Sequence, residues 1–269
     1  MPTFDTPGPV ALRVSAPAGS VSVETWAEPR VEAEVTPLRG DDGSRQAAEE
    51  TRIEAAERGG RHEIVVQVPK REGRLGFLGR SPELRVAIRC PEGSDLELTT
   101  HSSDLEARGP LGDVELKSAS GDVLLDDARA LAFTTASGDL SARGVAGALS
   151  AKAASGDVEI RSVGGPGSVN TVSGDVRIGA TEDTIAVNTV SGDVELDGTG
   201  AGVRVSAVSG DVSVAARPGL ALWIDAQSVS GSMRSDLEVG DLPAAGPDEP
   251  QVELRIRTVS GDVRISRSP

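Results

Sequence analysis

Asp122, Asp139, Asp157, Asp175, Asp193 and Asp211 follow one another at intervals of 17, 18, 18, 18 and 18 residues. If the interval is one turn of a stacked structure, the carboxylates form a ladder with a rung spacing of about 4.8 Å. Like charges that close repel unless they are paired, capped or bridged by a cation. Calcium favours oxygen ligands of this kind, which makes Asp157, Asp175, Asp193 and Asp211 the candidate metal ligands. Carboxylates roughly 5 Å apart would also suit a retaining glycosidase. Both chemistries meet the same objection. An active site occurs once, whereas these pairs recur at every turn, and no one turn adds an Arg, Lys or aromatic platform of its own. The calcium-binding solenoid repeat is moreover a nonapeptide with several glycines. The expected role of the ladder is therefore architectural, with no metal and no cofactor.

His101-Ser102-Ser103-Asp104 suggests a nucleophilic triad, but adjacent strand residues point to opposite faces and triad members converge from distant segments. The chain has no Gly-x-Ser-x-Gly elbow, phosphate loop or metal-spaced His pair. No catalytic residue is expected, and the protein reads as a non-enzyme.

The elements that position these residues follow from the repeat. Each of the six aspartates closes a Ser-Gly-Asp tripeptide, and a seventh copy opens at Ser260. Ser102-Ser103-Asp104 and Ser230-Gly231-Ser232 are decayed copies, and Ala18-Gly19-Ser20 is a remote one. A fixed short period is the signature of a solenoid. Around each copy, alternate columns are apolar. One runs Val158, Val176, Val194, Val212, Met233, Val263, and another Leu149, Gly167, Ile185, Val203, Ile224, Leu254. The columns between them are polar, with Glu159, Arg177 and Glu195 after the turn and Lys152, Asn170 and Asn188 before it. Alternation of this kind is the period of a strand with one buried face.

Each coil of about 18 residues is thus strand, Ser-Gly-Asp turn, strand and second turn. Gly121, Gly138, Gly156, Gly174, Gly192, Gly210 and Gly261 are the structural turn residues, free to adopt backbone conformations that a side chain penalises. Beside the turn runs a column of small residues, including Ala153, Thr171, Thr189 and Ala207, that lets two sheets converge and lets hydroxyls bond along the stack.

The expected fold is all-β, a single-chain β-solenoid over residues 96–269 with a loop insertion at 237–250. A β-rich N-terminal cap over 1–95 is expected to run continuously into it. In the cap, 10–14, 21–25 and 31–35 read as strands, 41–50 as a short helix, and 52–57 with 62–68 as a hairpin. The loop 69–82 holds the one locally basic spot, where Lys70, Arg71, Arg74, Phe77 and Arg80 are candidates for an interaction site. At the other end the coil 252–266 reads as the last rung, its outward Arg255, Arg257, Arg264 and Arg267 protecting the final edge. Outward positions show no broad aromatic or apolar patch.

Composition agrees. Three Phe, two Trp and no Tyr suit a core of Val, Leu and Ile, and the single cysteine excludes an intramolecular disulfide. The net charge of -15 argues against nucleic acid and against anionic membrane surfaces. No apolar run is long enough to span a membrane. The start has neither a basic nor an apolar leader segment, so a cytoplasmic location is expected.

The Ser-Gly-Asp-Val repeats, the Met-Pro-Thr-Phe-Asp-Thr-Pro start and Ala221-Leu222-Trp223-Ile224-Asp225 resemble the bacterial toast-rack family, whose members are labelled candidate adhesins. This version is similar to those of actinobacteria. The resemblance covers nearly the whole chain and implies a β-solenoid, with no catalytic residues to carry over. The functional expectation is an interaction or assembly scaffold whose partner is an unknown protein or a second copy. A surface adhesin is the first alternative and a carbohydrate-active β-helix enzyme the second.

Overall fold

The computed structural model describes residues 2–69, 82–237 and 252–268. It is nearly all-β, with one helix among the described residues. The chain divides into two compact units, Met1–Gly138 and Asp139–Pro269.

The first unit holds β1 (Thr3–Asp5), β2 (Ala11–Trp26), β3 (Arg30–Pro37), α1 (Asp42–Glu50), β4 (Arg52–Arg58), β5 (Arg61–Gln67), β6 (Leu84–Pro91), β7 (Asp95–Ser118) and β8 (Val123–Ser137). Its spine is the parallel set β2–β7–β8, with Ala18, Gly19 and Ser20 opposite Ser102, Ser103 and Asp104. The remote motif copy therefore takes the place of a turn one rung before the decayed one. On the far side of β2 lie β5 along its first half and β6 along its second. Beyond them the direction reverses. β4 runs antiparallel to β5, β3 antiparallel to β6, and β1 antiparallel to β3.

The β4–β5 reversal follows from its short connection, because the Gly59-Gly60 turn returns the strand beside its predecessor, whereas a parallel neighbour needs a crossover. Helix α1 starts where Asp41 caps it, the carboxylate accepting from the Ser44 N–H at 2.8 Å. That bond and the Ser44 hydroxyl hold the Asp41 carboxyl below its ordinary range.

The second unit holds β9 (Leu140–Val145), β10 (Leu149–Ser155), β11 (Val158–Val163), β12 (Gly167–Ser173), β13 (Val176–Thr181), β14 (Ile185–Ser191), β15 (Val194–Thr199), β16 (Val203–Ser209), β17 (Val212–Ala216), β18 (Leu222–Ser230), β19 (Met233–Ser235), β20 (Val252–Ser260) and β21 (Val263–Arg267). Odd-numbered strands up to β17 pair in parallel, each residue meeting its equivalent one coil on, as in Val158↔Val176 and Val176↔Val194. Even-numbered strands from β10 to β16 do the same. Inward residues such as Val176, Val187, Val203 and Val214 are buried, and their neighbours in sequence face out. At about 25 cal/mol for each Å² of apolar surface removed from water, repetition of these columns is the main source of stability. The hydroxyls of Thr171 and Thr189 bond along the stack at 3.0 Å.

The expected coil order is corrected at the far end. β20 pairs with β16 on one side and β18 on the other, and β21 lies between β17 and β19. The last coil in sequence is therefore inserted, and the rung Leu222–Ser235 ends the stack. The reason lies in the columns. Leu254, Ile256, Val263 and Ile265 fill all four inward positions of the inserted coil, whereas β18 and β19 offer Ile224, Ala226, Met233 and Ser235. The better-filled rung is the one that gains from burial on both sides.

Candidate functional site

Every Ser-Gly-Asp turn of the second unit repeats one arrangement. The Asp N–H of one coil donates to the Asp carboxylate of the coil before it: Asp157 to Asp139 at 2.9 Å, Asp175 to Asp157 at 2.8 Å, Asp193 to Asp175 at 2.9 Å and Asp211 to Asp193 at 2.8 Å. The chain of bonds crosses the inserted coil, from Asp262 to Asp211 and from Ser232 to Asp262, both at 2.8 Å. The Ser232 N–H holds the Asp262 carboxyl below its ordinary range. In the first unit, Asp122 donates to Asp104 in the same way at 3.1 Å.

The calcium candidates Asp157, Asp175, Asp193 and Asp211 thus do stack on successive rungs, each with one oxygen committed to the main chain. A carboxylate accepting a backbone N–H is a turn cap, and capping answers the like-charge problem that the ladder poses. Among the described residues no group of three or more His, Cys, Asp or Glu is placed to hold a metal ion.

The turn glycines explain the tight stacking. Gly192 has φ of +149°, and a Cβ there would lie 2.1 Å from the Gly174 carbonyl oxygen. No side chain fits where one coil's backbone lies on the next.

After the turn, a shallow trough is lined by Asp175, Asp193, Asp211, Arg177, Arg234 and Arg264. Its charges answer one another: Arg177 meets Glu195 at 3.3 Å, and Arg264 meets Asp236 at 2.8 Å. Five carboxylates and three arginines line the trough, so its balance is acidic, like that of the whole chain.

Just before the turn lies the feature that the sequence reading missed. Val172, Val190, Val208, Val259 and Val229 are 51, 45, 49, 50 and 82% exposed. They occupy β12, β14, β16, β20 and β18, five successive rungs, each between residues that are in register with the neighbouring strand. At the rung spacing they form an aliphatic ladder about 19 Å long on an outward face. The stripe is one valine wide, on outward positions that were expected to carry no broad apolar patch. The signal was present, since Thr-Val-Ser-Gly-Asp-Val at 171–176, 189–194 and 258–263 puts an apolar residue where the alternation calls for a polar one. In the preceding rung of this unit the position is Ala154.

The other sequence candidates separate in space. Ser103 is buried, and its hydroxyl donates to the Ala16 carbonyl at 3.0 Å. His101 is exposed, and its carbonyl accepts from the Ser120 N–H at 2.9 Å. His101 and Ser103 therefore serve the strand stack and form no triad. Cys90 is buried, and burial pushes its thiol pKa up to about 12, so it is inert as a nucleophile. Lys70, Arg71, Arg74, Phe77 and Arg80 lie outside the described residues.

The outward arginines of the inserted coil take on a different task from edge protection. The Arg255 guanidinium lies 5.6 Å from the Trp223 ring centre, and Arg257 reaches Asp225 at 4.0 Å. Arg267 donates to the carbonyls of Arg217 and Leu220 at 2.8 and 3.1 Å. With the Arg264–Asp236 pair, these contacts hold β18, β19 and the loop before them against the inserted coil.

No helix among the described residues is long and apolar enough to cross a membrane. No curated protein matches the chain. Similar solved structures include a candidate adhesin from Bacteroides fragilis NCTC 9343, 11% identical over 98% of this chain and 95% of that one, with a TM-score of 0.47. A candidate cell-adhesion protein from Clostridium sporogenes ATCC 15579 is 12% identical over 96% and 92%, with a TM-score of 0.24. A candidate adhesin from Parabacteroides distasonis ATCC 8503 is 10% identical over 98% and 95%, with a TM-score of 0.36. Adhesion is said there of those proteins. Residues 43–266, which take in all of α1 but its first residue and every Ser-Gly-Asp turn, match the family model Toastrack DUF4097, and the chain belongs to that toast-rack family.

Proposed function

We propose that this toast-rack protein is a non-enzymatic interaction scaffold that binds a protein partner along the valine ladder. The observation that carries the reading is the run of five half-exposed to exposed valines on successive rungs. An apolar stripe on an otherwise charged surface marks an interaction site. Its partner is expected to present aliphatic side chains along a flat or extended surface. The carboxylate ladder supports a non-catalytic role, because the same oxygen is occupied in the same way at each described rung of the second unit. A carbohydrate-active enzyme would need one rung built differently from the rest.

The test places a photo-cross-linking residue at Val190 and, in a second sample, at Glu159 on an outward position after the turn. In cells, the Val190 sample is expected to yield one discrete adduct, which Val172→Lys and Val208→Lys abolish. Equal adducts from both positions, or none from Val190, would overturn the reading. Fractionation of the same cells separates a cytoplasmic scaffold from a surface adhesin.

A further inference from the structure

We infer that the terminal rung of the second unit pairs with the same rung of a second copy, β18 against β18 in antiparallel register about Ala226. The inference rests on the scaffold reading and names the partner of the open end of the stack, a surface separate from most of the valine ladder.

The core columns are open at this rung. Leu254 and Val263, one rung inside, are 0 and 2% exposed, whereas their equivalents Ile224 and Met233 are 38 and 55% exposed. Among the described residues no strand lies beyond β18 or β19, each of which pairs on one side with the inserted coil. The free edge is also well directed. In a parallel ladder the N–H and C=O of one residue point to the same side. The Ala221 carbonyl accepts from Val252 of the inserted coil at 2.9 Å. Along β18 the alternation then points the main-chain groups of Ile224, Ala226 and Ser228 away from that coil. An edge of this kind recruits another strand unless it is short, charged or covered.

A second β18 fits it better than an arbitrary strand. With Ala226 facing itself across a two-fold axis, Ile224 meets Ser228 and the three outward-facing peptide groups of each strand match, giving roughly six main-chain hydrogen bonds. On the outward face Trp223 then meets Val229, an aromatic pair with a β-branched residue, and Asp225 meets Gln227. No like charges oppose each other in that register. The strand brings little like charge of its own to the interface, since residues 222–237 carry one Arg and two Asp.

The test is molar mass by light scattering on the full chain from micromolar to near-millimolar concentration, with three variants. The wild type is expected to climb from 27.6 kDa toward twice that mass. Ala226→Pro removes an N–H that points away from the inserted coil and places a ring in the pairing edge, so it is expected to stay at monomer mass while keeping the wild-type circular dichroism. Val229→Lys is expected to do the same, and stands alone if the proline variant fails to fold. Val190→Lys, away from the edge, is expected to associate like the wild type. A wild type that stays at 27.6 kDa throughout would overturn the inference, as would a dimer that survives both edge variants. Neither result touches the Val190 cross-link, which tests the scaffold reading separately.

Discussion

The two units finish their sheets in opposite ways. In the first, parallel pairing gives way to antiparallel strands. One edge is the charged β4, where Arg52, Glu54, Glu57 and Arg58 lie exposed, and the other is the three-residue β1. Charge and shortness are two of the devices that stop a strand edge from recruiting another. In the second, parallel stacking continues to the final rung, where Trp223, Ile224, Val229 and Met233 remain exposed. The arginines that could have guarded this edge sit one rung inside and brace it instead. The difference shows that the same pleated pattern serves two ends, being closed where strands reverse and left ready to pair where they do not.

The comparison breaks most readily at the backbone. Gly19→Ala in the first unit and Gly192→Ala in the second place a Cβ 2.0 Å from the Leu84 carbonyl oxygen and 2.1 Å from the Gly174 carbonyl oxygen. Both are expected to cost about 4 kcal/mol or more by urea unfolding, since neither backbone can retreat without losing a rung.

Side-chain truncation sharpens the contrast within one column. Leu254→Ala is expected to cost about 3 kcal/mol, in the range for a fully buried leucine. Ile224→Ala, one rung outward at 38% exposure, should cost about 1 kcal/mol when measured on the monomer. Equal losses would mean that the terminal rung is covered.

The closed region should also keep its thiol from solvent. Burial raises the Cys90 pKa from 9.0 to about 12, so above pH 9 the unfolded chain releases a proton that the folded chain retains. Stability should therefore fall as pH rises, by up to about 1.4 kcal/mol per pH unit between those values. A thiol reagent at pH 8 should label the unfolded protein and spare the native one.

The smallest effect is expected on the carboxylate ladder. Asp193→Asn keeps an acceptor for the Asp211 N–H and should change stability by less than about 0.5 kcal/mol, whereas Asp193→Ala should cost about 1 kcal/mol. A large loss in the asparagine variant, restored by added calcium, would contradict the capping role.

The coils were legible in the sequence because their signal is repeated: Ser-Gly-Asp sets the turn and alternation sets the face. The helix was legible from Asp41 and the polar run behind it. The order of the last two coils was not. Any rung of this repeat can pair with any other, so Val203 can be followed in the stack by Ile224 or by Leu254. Only the comparison of four columns, full in the inserted coil and poor in β18 and β19, decides between them. The valine ladder escaped for a related reason. Val172 and its equivalents read as part of the turn motif when aligned, and their exposure shows only once the strand is placed.

Hydrogen exchange at two protein concentrations tests the open edge most directly. In dilute protein the amides of Ile224, Ala226 and Ser228 should exchange rapidly while Leu254 and Ile256 of the inserted coil stay protected, and at high concentration the three edge amides should become protected as well. Slow exchange of those three amides at every concentration would show that the edge is already covered, and would contradict the account.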